Sequence, residues 1–301
     1  MTPDLPHISV CICTYRRGDY LSYLLAELSK QETGGLFTYS VVVVDNDRCR
    51  SAEPIVAASA ETSPVAVQYL VEPRQNIALA RNMAIRNGNG EFIAFIDDDE
   101  FPTSQWLKTL FTECEKRNVD GVLGPVKPHY EIQPPRWVVV AGFYDRPSYP
   151  TGLVIDGSKG RTGNVLFKKA VIDGESELFR PEFRSGEDQD FFRRMISKGH
   201  VFTWCNEAMV HEWVPQNRWS RTFLLKRALL RGAMSALHPN AGIKDAFKSI
   251  LVIAAYIAVL PFALLISQGK FMLYFVSMFD HVGKVAALLG FNLVSKQYIT
   301  E

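Results

Sequence analysis

The chain has 301 residues, of which 47% are hydrophobic and 22% are charged, and its formal net charge is +1. This composition excludes an extensively disordered protein, and the length allows one large α/β domain with an appendage. The charge by itself excludes no partner, and we expect no nucleic acid among the partners. The five cysteines contain no metal-type CxxC pair, which predicts reduced cytosolic thiols. The first residues lack a basic start followed by an apolar stretch, so we expect no signal peptide.

Alternating strand and helix patterns occupy the first hundred residues. Apolar, β-branched runs predict strands, and apolar residues at helical spacing predict the helices between them. The predicted strands are 8–14, 39–44, 66–71 and 92–96, and the predicted helices are 20–31, 51–62 and 76–87. This alternation predicts a doubly wound, mostly parallel sheet. No G-x-G-x-x-G follows the first strand, which argues against a dinucleotide-binding domain.

The pattern is looser after residue 100. Helices are predicted over 104–117 and 187–198, and strands over 120–126 and 163–167. The proline-rich, aromatic stretch 128–150 has little periodicity, which indicates a surface loop for substrate or a small subdomain.

The C-terminal part combines a basic segment with an apolar one. Seven basic residues and one acid lie between Gln216 and Lys248, and no charged residue lies between Ser249 and Gly269. The apolar run can span or dip into a bilayer, and the basic flank suits anionic lipids of the cytoplasmic leaflet. The charges of the next apolar stretch, 271–293, favour an interfacial helix. A buried core helix is the alternative for 249–269, and membrane attachment is our prediction.

Four consecutive acids, Asp97 to Glu100, follow the apolar run 92–96. Ligand sites of open α/β sheets form at the carboxyl ends of strands, and crowded carboxylates need a cation to offset their repulsion. The pattern therefore predicts a divalent metal site. A solvated acidic turn before a helix is the alternative.

Other polar residues end the neighbouring strands. Thr14-Tyr15-Arg16 follows the first strand and Asp45-Asn46-Asp47 follows the second. Such an edge suits a nucleotide, with one loop for the base, one for the ribose and the metal for the diphosphate. Asn76 and Arg81 lie on the helix before the acidic strand, where Arg81 could reach a phosphate. An exposed helix face is the alternative for both.

A second acidic cluster, residues 185–190, begins the helix predicted at 187–198. Acids at a helix start are commonly stabilised by the helix dipole alone. The functional interpretation is a general base that takes a proton from a hydroxyl. His211, in the run 209–213, is a candidate third metal ligand, although a lone histidine is more often structural.

Taken in order, these segments form one specific pattern: Cys13-Thr14-Tyr15-Arg16-Arg17, Asp45-Asn46-Asp47, Asn76 to Asn82, Asp97-Asp98-Asp99, Gly163-Asn164, Gly186-Glu187-Asp188 and His211. Over about residues 6–220 the chain resembles a family 2 glycosyltransferase of the GT-A fold. Within that family it is most similar to the glucosyltransferases of succinoglycan-type exopolysaccharide assembly. The segments that carry this closer similarity are Leu123-Gly124-Pro125-Val126, Pro135-Arg136-Trp137, Gly186 to Phe192 and Val210-His211-Glu212.

The resemblance implies a role for each matched position. The residues that would contact the nucleotide sugar are Thr14, Tyr15, Arg16, Asp45, Asn76, Arg81, Asp97, Asp98, Gly163 and Asn164. Asp97 and Asp99 would form the metal-binding DXD motif, in which Asp99 would be the direct metal ligand and Asp97 would contact the ribose or the metal. His211 would complete the ligands. Asp188 would be the catalytic base, supported by Glu187, while Asp98 and Glu100 would mainly hold the turn.

One departure from the family concerns its processive members, which carry Q-x-x-R-W near the membrane. This chain has Gln216-Asn217-Arg218-Trp219, one residue short, and lacks several spanning helices. We therefore expect one sugar per encounter, with Arg218 at the diphosphate and Trp219 at an acceptor ring.

The resemblance implies an inverting transfer, with Mg²⁺ or Mn²⁺, from UDP-glucose to a lipid-diphosphate-linked oligosaccharide. It places the catalytic domain at 1–215, with a nucleotide half about 6–100 and an acceptor half about 101–215. A basic amphipathic connection would follow at 216–248 and a membrane-associated segment at 249–301, attached to the cytoplasmic face of the inner membrane. Pairing of two chains through those helices stays open. The alternatives are a sugar-phosphate nucleotidyltransferase and a non-catalytic membrane scaffold of a polysaccharide complex.

Overall fold

A computed structural model describes residues 5–183, 186–236, 242–291 and 293. Ser185 of the second acidic cluster, residues 237–241 of the basic connection and the C-terminal residues 294–301 lie outside the described part. The described strands are β1 (His7–Thr14), β2 (Thr38–Asp45), β3 (Val67–Val71), β4 (Phe92–Ile96), β5 (Glu100–Pro102), β6 (Gly121–Leu123), β7 (Val126–His129), β8 (Asn164–Lys168), β9 (Phe202–Trp204) and β10 (Val210–Trp213). The described α-helices are α1 (Gly18–Leu28), α2 (Glu53–Thr62), α3 (Ile77–Asn87), α4 (Trp106–Arg117), α5 (Arg136–Ala141), α6 (Glu187–Ser197), α7 (Arg221–Ala236), α8 (Ile243–Ile266) and α9 (Gln268–Leu288).

The larger sheet has seven strands in the order β3-β2-β1-β4-β8-β6-β9. Its first four strands are parallel, which confirms the mostly parallel α/β sheet predicted from the alternating pattern. β8 runs antiparallel to both β4 and β6, and therefore it begins beside the carboxyl end of β4, with Asn164 opposite Ile96. The start of β8 and the end of β4 thus lie at the same sheet edge.

Both faces of this sheet are covered, as the uniformly apolar strands require. Along β1, Val10 and Ile12 contact one core, together with apolar residues of α1, α2 and α4. Cys11 and the half-buried Cys13 point to the other core, with residues of α3 and α6. The period of two along the strand separates these two sets of side chains.

The strand predicted over 120–126 is interrupted in the structure. β6 ends at Leu123 and β7 begins at Val126 in a second sheet, which has the order β5-β10-β7. Pro125 has no backbone N–H to donate to a ladder. A Cβ at Gly124 would lie 2.1 Å from the carbonyl oxygen of Ala208, so only glycine allows this close approach.

The chain is divided into two compact units. The first takes its described residues from Met1–His129 and Arg146–Trp213, and contains both sheets. The second takes its described residues from Tyr130–Asp145 and Val214–Glu301. Its core contains apolar side chains of α5, α7 and α9, including Val138, Leu224 and Met272.

Part of the proline-rich stretch predicted as a loop or small subdomain therefore forms α5 and belongs to the second unit. Two helices of this unit, α8 and α9, are long and apolar enough to cross a membrane by length and composition.

Candidate functional site

The acids after β4 differ sharply in their access to solvent. The side chain of Asp97 is 40% exposed, whereas those of Asp98, Asp99 and Glu100 are buried. The fully buried strand β4 delivers all four acids to the carboxyl edge of the sheet. Asp97 is therefore the carboxylate of this group that a ligand can reach directly.

Arg17 provides the positive charge that the buried acids need. Its Nη1 donates a hydrogen bond of 2.8 Å to Oδ1 of Asp98 and lies 3.0 Å from Oδ2 of Asp99. Thr14 donates its hydroxyl to the other oxygen of Asp98, also at 2.8 Å. Burial raises the pKa of Asp98 to about 6, although Arg17 opposes the rise. These contacts tie the end of β1 to the end of β4 and leave Asp98 no free oxygen.

Arg81 connects the acidic edge to the second acidic cluster. This arginine on α3 is 7% exposed, donates to Glu187 and lies 3.7 Å from Oδ1 of Asp97. Burial raises the pKa of Glu187, and the charge of Arg81 counteracts that rise. The start of α6 is thereby held against the carboxyl edge of the sheet.

Asp188 follows Glu187 in the first turn of α6 and is half-buried. Its Oδ1 accepts a hydrogen bond of 2.8 Å from the backbone N–H of Gln189. The negative charge of Asp188 contributes to raising the pKa of Asp97, after the larger effect of burial. Gly186 has φ +83° just before the helix, a conformation that favours glycine.

A second arginine, Arg146, lies close to the buried acid Glu100. It donates to Glu212 and lies 3.8 Å from Oε1 of Glu100. That Oε1 is buried without a hydrogen-bond partner, and burial raises the pKa of Glu100 well above its ordinary value. A Cβ at Gly163 would lie 2.7 Å from the same oxygen and 3.1 Å from Oδ2 of Asp97. Glycine at this position therefore leaves room for the two carboxylates.

The predicted nucleotide loop after β2 is held by Asp45. This residue is fully buried, and its carboxylate accepts hydrogen bonds from the backbone N–H groups of Asp47 and Ala52 and from the hydroxyl of Tyr69. In the structure it therefore shapes the loop. Its predicted contact with the nucleotide stays a prediction.

Arg16 and Tyr15 lie at the end of β1 beside that loop. Arg16 has φ +54° and donates from Nε to Oδ2 of Asp47 at 2.8 Å. Its guanidinium lies 5.1 Å from the centre of the Tyr15 ring. Since the Arg16 side chain is exposed and the Tyr15 ring is half-buried, both present surface that a nucleotide base could contact.

The two predicted asparagines make contacts that stabilise the backbone. Asn76 caps α3 through Oδ1, which accepts from Ala78 and Leu79, and its Nδ2 donates to the carbonyl of Pro181. Asn164 is buried and uses its amide to join separate segments. The partners of Asn164 are the indole of Trp106 and the carbonyls of Pro125 and Ala208. Their predicted contacts with the sugar nucleotide would act in addition to these structural ones.

His211 belongs to no group of three possible metal-ligating side chains in the part of the chain that the structure describes, and its role as a ligand stays a prediction. In the register of β10 with β5, His211 is opposite Phe101 and Glu212 is opposite Glu100. The ring of His211 stacks on Phe101 with their centres 5.3 Å apart, while Glu212 points to Arg146 on the other face. Burial lowers the pKa of His211, and His129 adds to this effect.

Arg218 and Trp219 lie in the second unit, in a short 3-10 turn from Gln216 to Trp219. The carbonyl of Arg218 accepts a 2.6 Å hydrogen bond from the hydroxyl of Tyr144. Trp219 is 8% exposed and packs edge-to-face on Tyr130 in the core of that unit. Contact of its ring with an acceptor sugar stays a prediction, and the ring's burial means that such contact would require it to move.

The acidic edge fits a metal that binds together with a substrate. In the part of the chain that the structure describes, no three His, Cys, Asp or Glu side chains are grouped to hold a metal ion alone. Mg²⁺ and Mn²⁺ commonly use one or two carboxylates and complete their ligands with substrate phosphates and water. Asp97 matches a ligand of this kind, because its carboxylate is partly exposed. The buried part of its surroundings raises its pKa.

Sequence reasoning found the acids and missed most of their partners. It assigned no role to Arg17, Arg146 or Glu212, and gave Arg81 a phosphate rather than a carboxylate partner. The position of Arg17 directly after β1 is a local signal for a role at this edge. Arg146 lies in an irregular stretch, and nothing nearby in the sequence indicates its pairing with Glu212, which is 66 positions away.

Several known proteins are similar to this chain. The family model described as glycosyl transferase family 2 matches residues 9–171, more than half of the chain. The succinoglycan biosynthesis protein ExoM of Rhizobium meliloti (strain 1021) is 32% identical over 307 residues, which cover 98% of this chain and 97% of that protein. TarP of Staphylococcus aureus (strain N315), a poly(ribitol-phosphate) beta-N-acetylglucosaminyltransferase, is 23% identical over 186 residues, 61% of this chain and 55% of that protein.

Two solved structures show the same fold at low sequence identity. The mannosyltransferase PcManGT from Pyrobaculum calidifontis, in complex with GDP-Man and Mn²⁺, matches with a TM-score of 0.62 and 17% identity, over 94% of this chain and 89% of that chain. S. aureus TarS 1-349 in complex with UDP matches with a TM-score of 0.55 and 16% identity, over 94% and 90%.

Proposed function

The chain belongs to glycosyl transferase family 2, and from this premise we propose an inverting, metal-dependent, non-processive transfer of a sugar from a nucleoside diphosphate to a hydroxyl acceptor. The observation that carries the proposal is the junction at Asp97. The half-exposed carboxylate of Asp97 and the side chain of Glu187, which precedes Asp188 in the chain, both lie against Arg81. This junction supports the binding of a metal-bound diphosphate and the action of a base at one sheet edge.

In this mechanism Asp188 is the base. Its carboxylate takes the proton of the acceptor hydroxyl while that oxygen attacks the anomeric carbon. The bond from this carbon to the diphosphate oxygen breaks on the opposite face, which inverts the configuration. Mg²⁺ or Mn²⁺ held by Asp97, with Asp99 as the second member of the motif, would neutralise the negative charge of the leaving diphosphate. Glu187, paired with Arg81, holds α6 in position.

The remaining nucleotide contacts are proposed on the loops after β1 and β2. Tyr15 and Arg16 present surface beside the Asp45 loop, where the base and ribose would bind. Gly163 lies next to Asp97, and the donor sugar is proposed to bind beside it. Arg218 and Trp219 are proposed at the diphosphate and the acceptor on the strength of the sequence motif alone.

We assign the donor as UDP-glucose and the acceptor as a lipid-diphosphate-linked oligosaccharide in exopolysaccharide synthesis. The similarity to ExoM over nearly the whole chain supports this pathway class. Solved structures of similar fold are complexes with UDP, UDP-GlcNAc or GDP-Man, which supports a nucleotide sugar as the donor class. The apolar helices α8 and α9 support attachment at the cytoplasmic face of the membrane, where a lipid-linked acceptor would be met.

The test is transfer from a panel of UDP- and GDP-sugars to lipid-linked acceptors, with Mn²⁺ or Mg²⁺ added to the chelated enzyme. Asp188→Asn should lower kcat by about 10²–10⁴-fold and retain UDP binding, because the loss of a general base affects the chemical step. Asp97→Asn should weaken metal-dependent UDP binding, measured as protection against thermal unfolding. Asp190→Asn is the matched control: this acid in the same turn of α6 pairs with Arg194 at 2.8 Å. Near wild-type transfer by the Asp188 variant would refute the assignment.

His211 is tested separately as the third ligand. His211→Phe preserves a ring to stack on Phe101 and removes the metal-ligating nitrogen. Because the ring points away from Glu212 and Glu100, we expect this variant to keep its Mn²⁺ dependence. A large rise in the Mn²⁺ concentration needed for half-maximal transfer would instead restore His211 to the ligand set.

A further inference from the structure

Helix α9 is packed closely against other helices of the second unit along its length. A Cβ at Gly269 would lie 2.7 Å from side-chain atoms of Val140 on α5. Further along, a Cβ at Gly232 of α7 would lie 1.9 Å from the carbonyl oxygen of Asp280, and one at Gly283 would lie 2.2 Å from the carbonyl oxygen of Leu229. The small residues let α7 and α9 approach backbone to backbone. One side of α9 is thus covered first by α5 and then by α7.

Helix α8 covers another side of α9 in an antiparallel arrangement. The hydroxyl of Ser249 and Nδ1 of His281 share a hydrogen bond of 3.2 Å. Tyr256 packs against Tyr274 with their ring centres 6.0 Å apart. As a result, no residue from 271 to 288, all of them described, is exposed. Most of these residues are half-buried, so α9 is partly covered by its neighbours along its length.

The outer surface of α8 has no such cover from the described residues. Its exposed apolar side chains extend from the first turn to the last, and no charged residue follows Lys248 in this helix. Leu265 is 85% exposed, and the others include Phe247, Ile250, Leu251, Ile257, Val259, Phe262, Leu264 and Ile266. With 24 residues the helix is roughly 36 Å long, so it presents a continuous apolar surface that water solvates poorly.

A separate crossing of the bilayer by α8 conflicts with these contacts. Because α8 packs along α9, it could enter the bilayer core upright only with α9, and α9 carries α7 with it. Lys226 and Arg227 in the middle of α7 are exposed, and upright insertion would carry both into the bilayer core. Charged groups at that depth are strongly unfavourable in hydrocarbon.

We propose that the second unit attaches to one leaflet only, with α8 lying in the plane of the membrane and α9 and α7 on its polar side. The exposed apolar surface of α8 enters the acyl region, while Lys244 and Lys248 in its first turns reach anionic head groups. This proposal specifies the mode of the membrane attachment proposed above and is independent of the transfer reaction.

The test measures the depth of single fluorescent labels on α8. In full-length protein with Cys49→Ser, which removes the exposed cysteine, a single cysteine is introduced by Leu251→Cys, Ile257→Cys or Leu265→Cys. These positions are exposed, and circular dichroism checks the fold. The labelled proteins bind vesicles that contain phosphatidylglycerol and lipids brominated at shallow or deep acyl carbons. The same label at Thr62→Cys, an exposed position of α2, is the control.

A helix in the membrane plane places all three labels at one depth, so shallow and deep quenchers should give equal quenching ratios at each. An upright helix would separate Leu251 from Leu265 by roughly 21 Å in depth, with Ile257 between them. Such a gradient would overturn the one-leaflet mode. Absence of quenching at every position would overturn membrane attachment itself. If sedimentation then shows dimers, the exposed apolar surface of α8 binds a second copy of the chain.

A second measurement uses Gln268→Cys, just beyond the end of α8, in intact cells. In the one-leaflet arrangement a membrane-impermeant maleimide should modify this cysteine only after the cells are opened. Modification in intact cells would show that α8 crosses the membrane and would overturn the proposal.

Discussion

Replacing Arg81 by methionine should destabilise the protein and reduce transfer without removing any group that reacts. Arg81 is 7% exposed and donates to Glu187, whose side chain is also buried. The unbranched methionine keeps the length of the stem but leaves Glu187 buried without its cation. Because α6 begins at Glu187, the neighbouring Asp188, which is the proposed base, loses the contact that holds it at the sheet edge.

The expected cost follows from the burial of both partners. Removing one member of a buried ion pair costs ~3–5 kcal/mol, since the other charge stays desolvated. The contact of Arg81 with the exposed Asp97 at 3.7 Å adds little, because solvent screens it. The loss of the cation 5.7 Å from the Phe179 ring centre adds ~0.5–1 kcal/mol. We expect the free energy of unfolding to fall by about 4 kcal/mol.

The stability lost in Arg81→Met should depend on pH in a defined direction. Burial raises the pKa of Glu187 above its ordinary value near 4.5, so the folded state holds this proton more tightly than the unfolded state. Stability from that group is complete below about 4.5 and falls as the pH rises through the raised folded pKa. Without the charge of Arg81 the pKa of Glu187 rises further. The penalty of Arg81→Met should therefore be largest at pH 8 and shrink towards pH 5.

Urea unfolding at pH 5 and pH 8 measures both effects, and initial transfer rates at saturating donor measure the loss of positioning. Arg86→Met on the exposed face of the same helix is the matched control, with an expected change below ~0.5 kcal/mol. The double variant Arg81→Met/Glu187→Met should recover most of the stability, because no unpaired charge remains buried. If Arg81→Met matches the Arg86 control at pH 8, the pairing argument is refuted.

Two further predictions concern single positions. Gly163→Ala places a Cβ 2.7 Å from Oε1 of Glu100 and 3.1 Å from Oδ2 of Asp97, so the two carboxylates must shift. The rate of transfer should therefore fall at least tenfold. Unchanged kcat and KM would show that the acids tolerate the methyl group. Cys49 is exposed, whereas burial raises the pKa of Cys114 to about 12. At pH 8 a maleimide should therefore modify the native protein rapidly at Cys49 alone. The substitution Cys49→Ser should abolish that reaction. Rapid modification of Cys49→Ser, followed by mass spectrometry, would contradict the burial of the other thiols.

The sequence by itself determined the elements whose pattern is local. The apolar runs of β1 to β4 alternate with helical spacing, and this periodicity depends only on near neighbours in the chain. The position of Asp97 at the end of β4 follows from the same pattern, because parallel strands present their carboxyl ends at one edge. The uncharged run after Lys248 likewise predicted an apolar helix, which the structure shows as α8.

Only the tertiary structure decided which charges neutralise the acids. Arg81 and Glu187 are 106 positions apart, and Arg146 and Glu212 are 66 apart, so no local period relates them. Topology also decided that His211 lies opposite Phe101 and on the other face from Glu100, since a one-residue change of strand register would reverse its face. Hydropathy could not tell whether the apolar C-terminal helices stand alone or pack in layers. That depends on close approaches at small residues distant in the chain, which are a property of the folded surfaces.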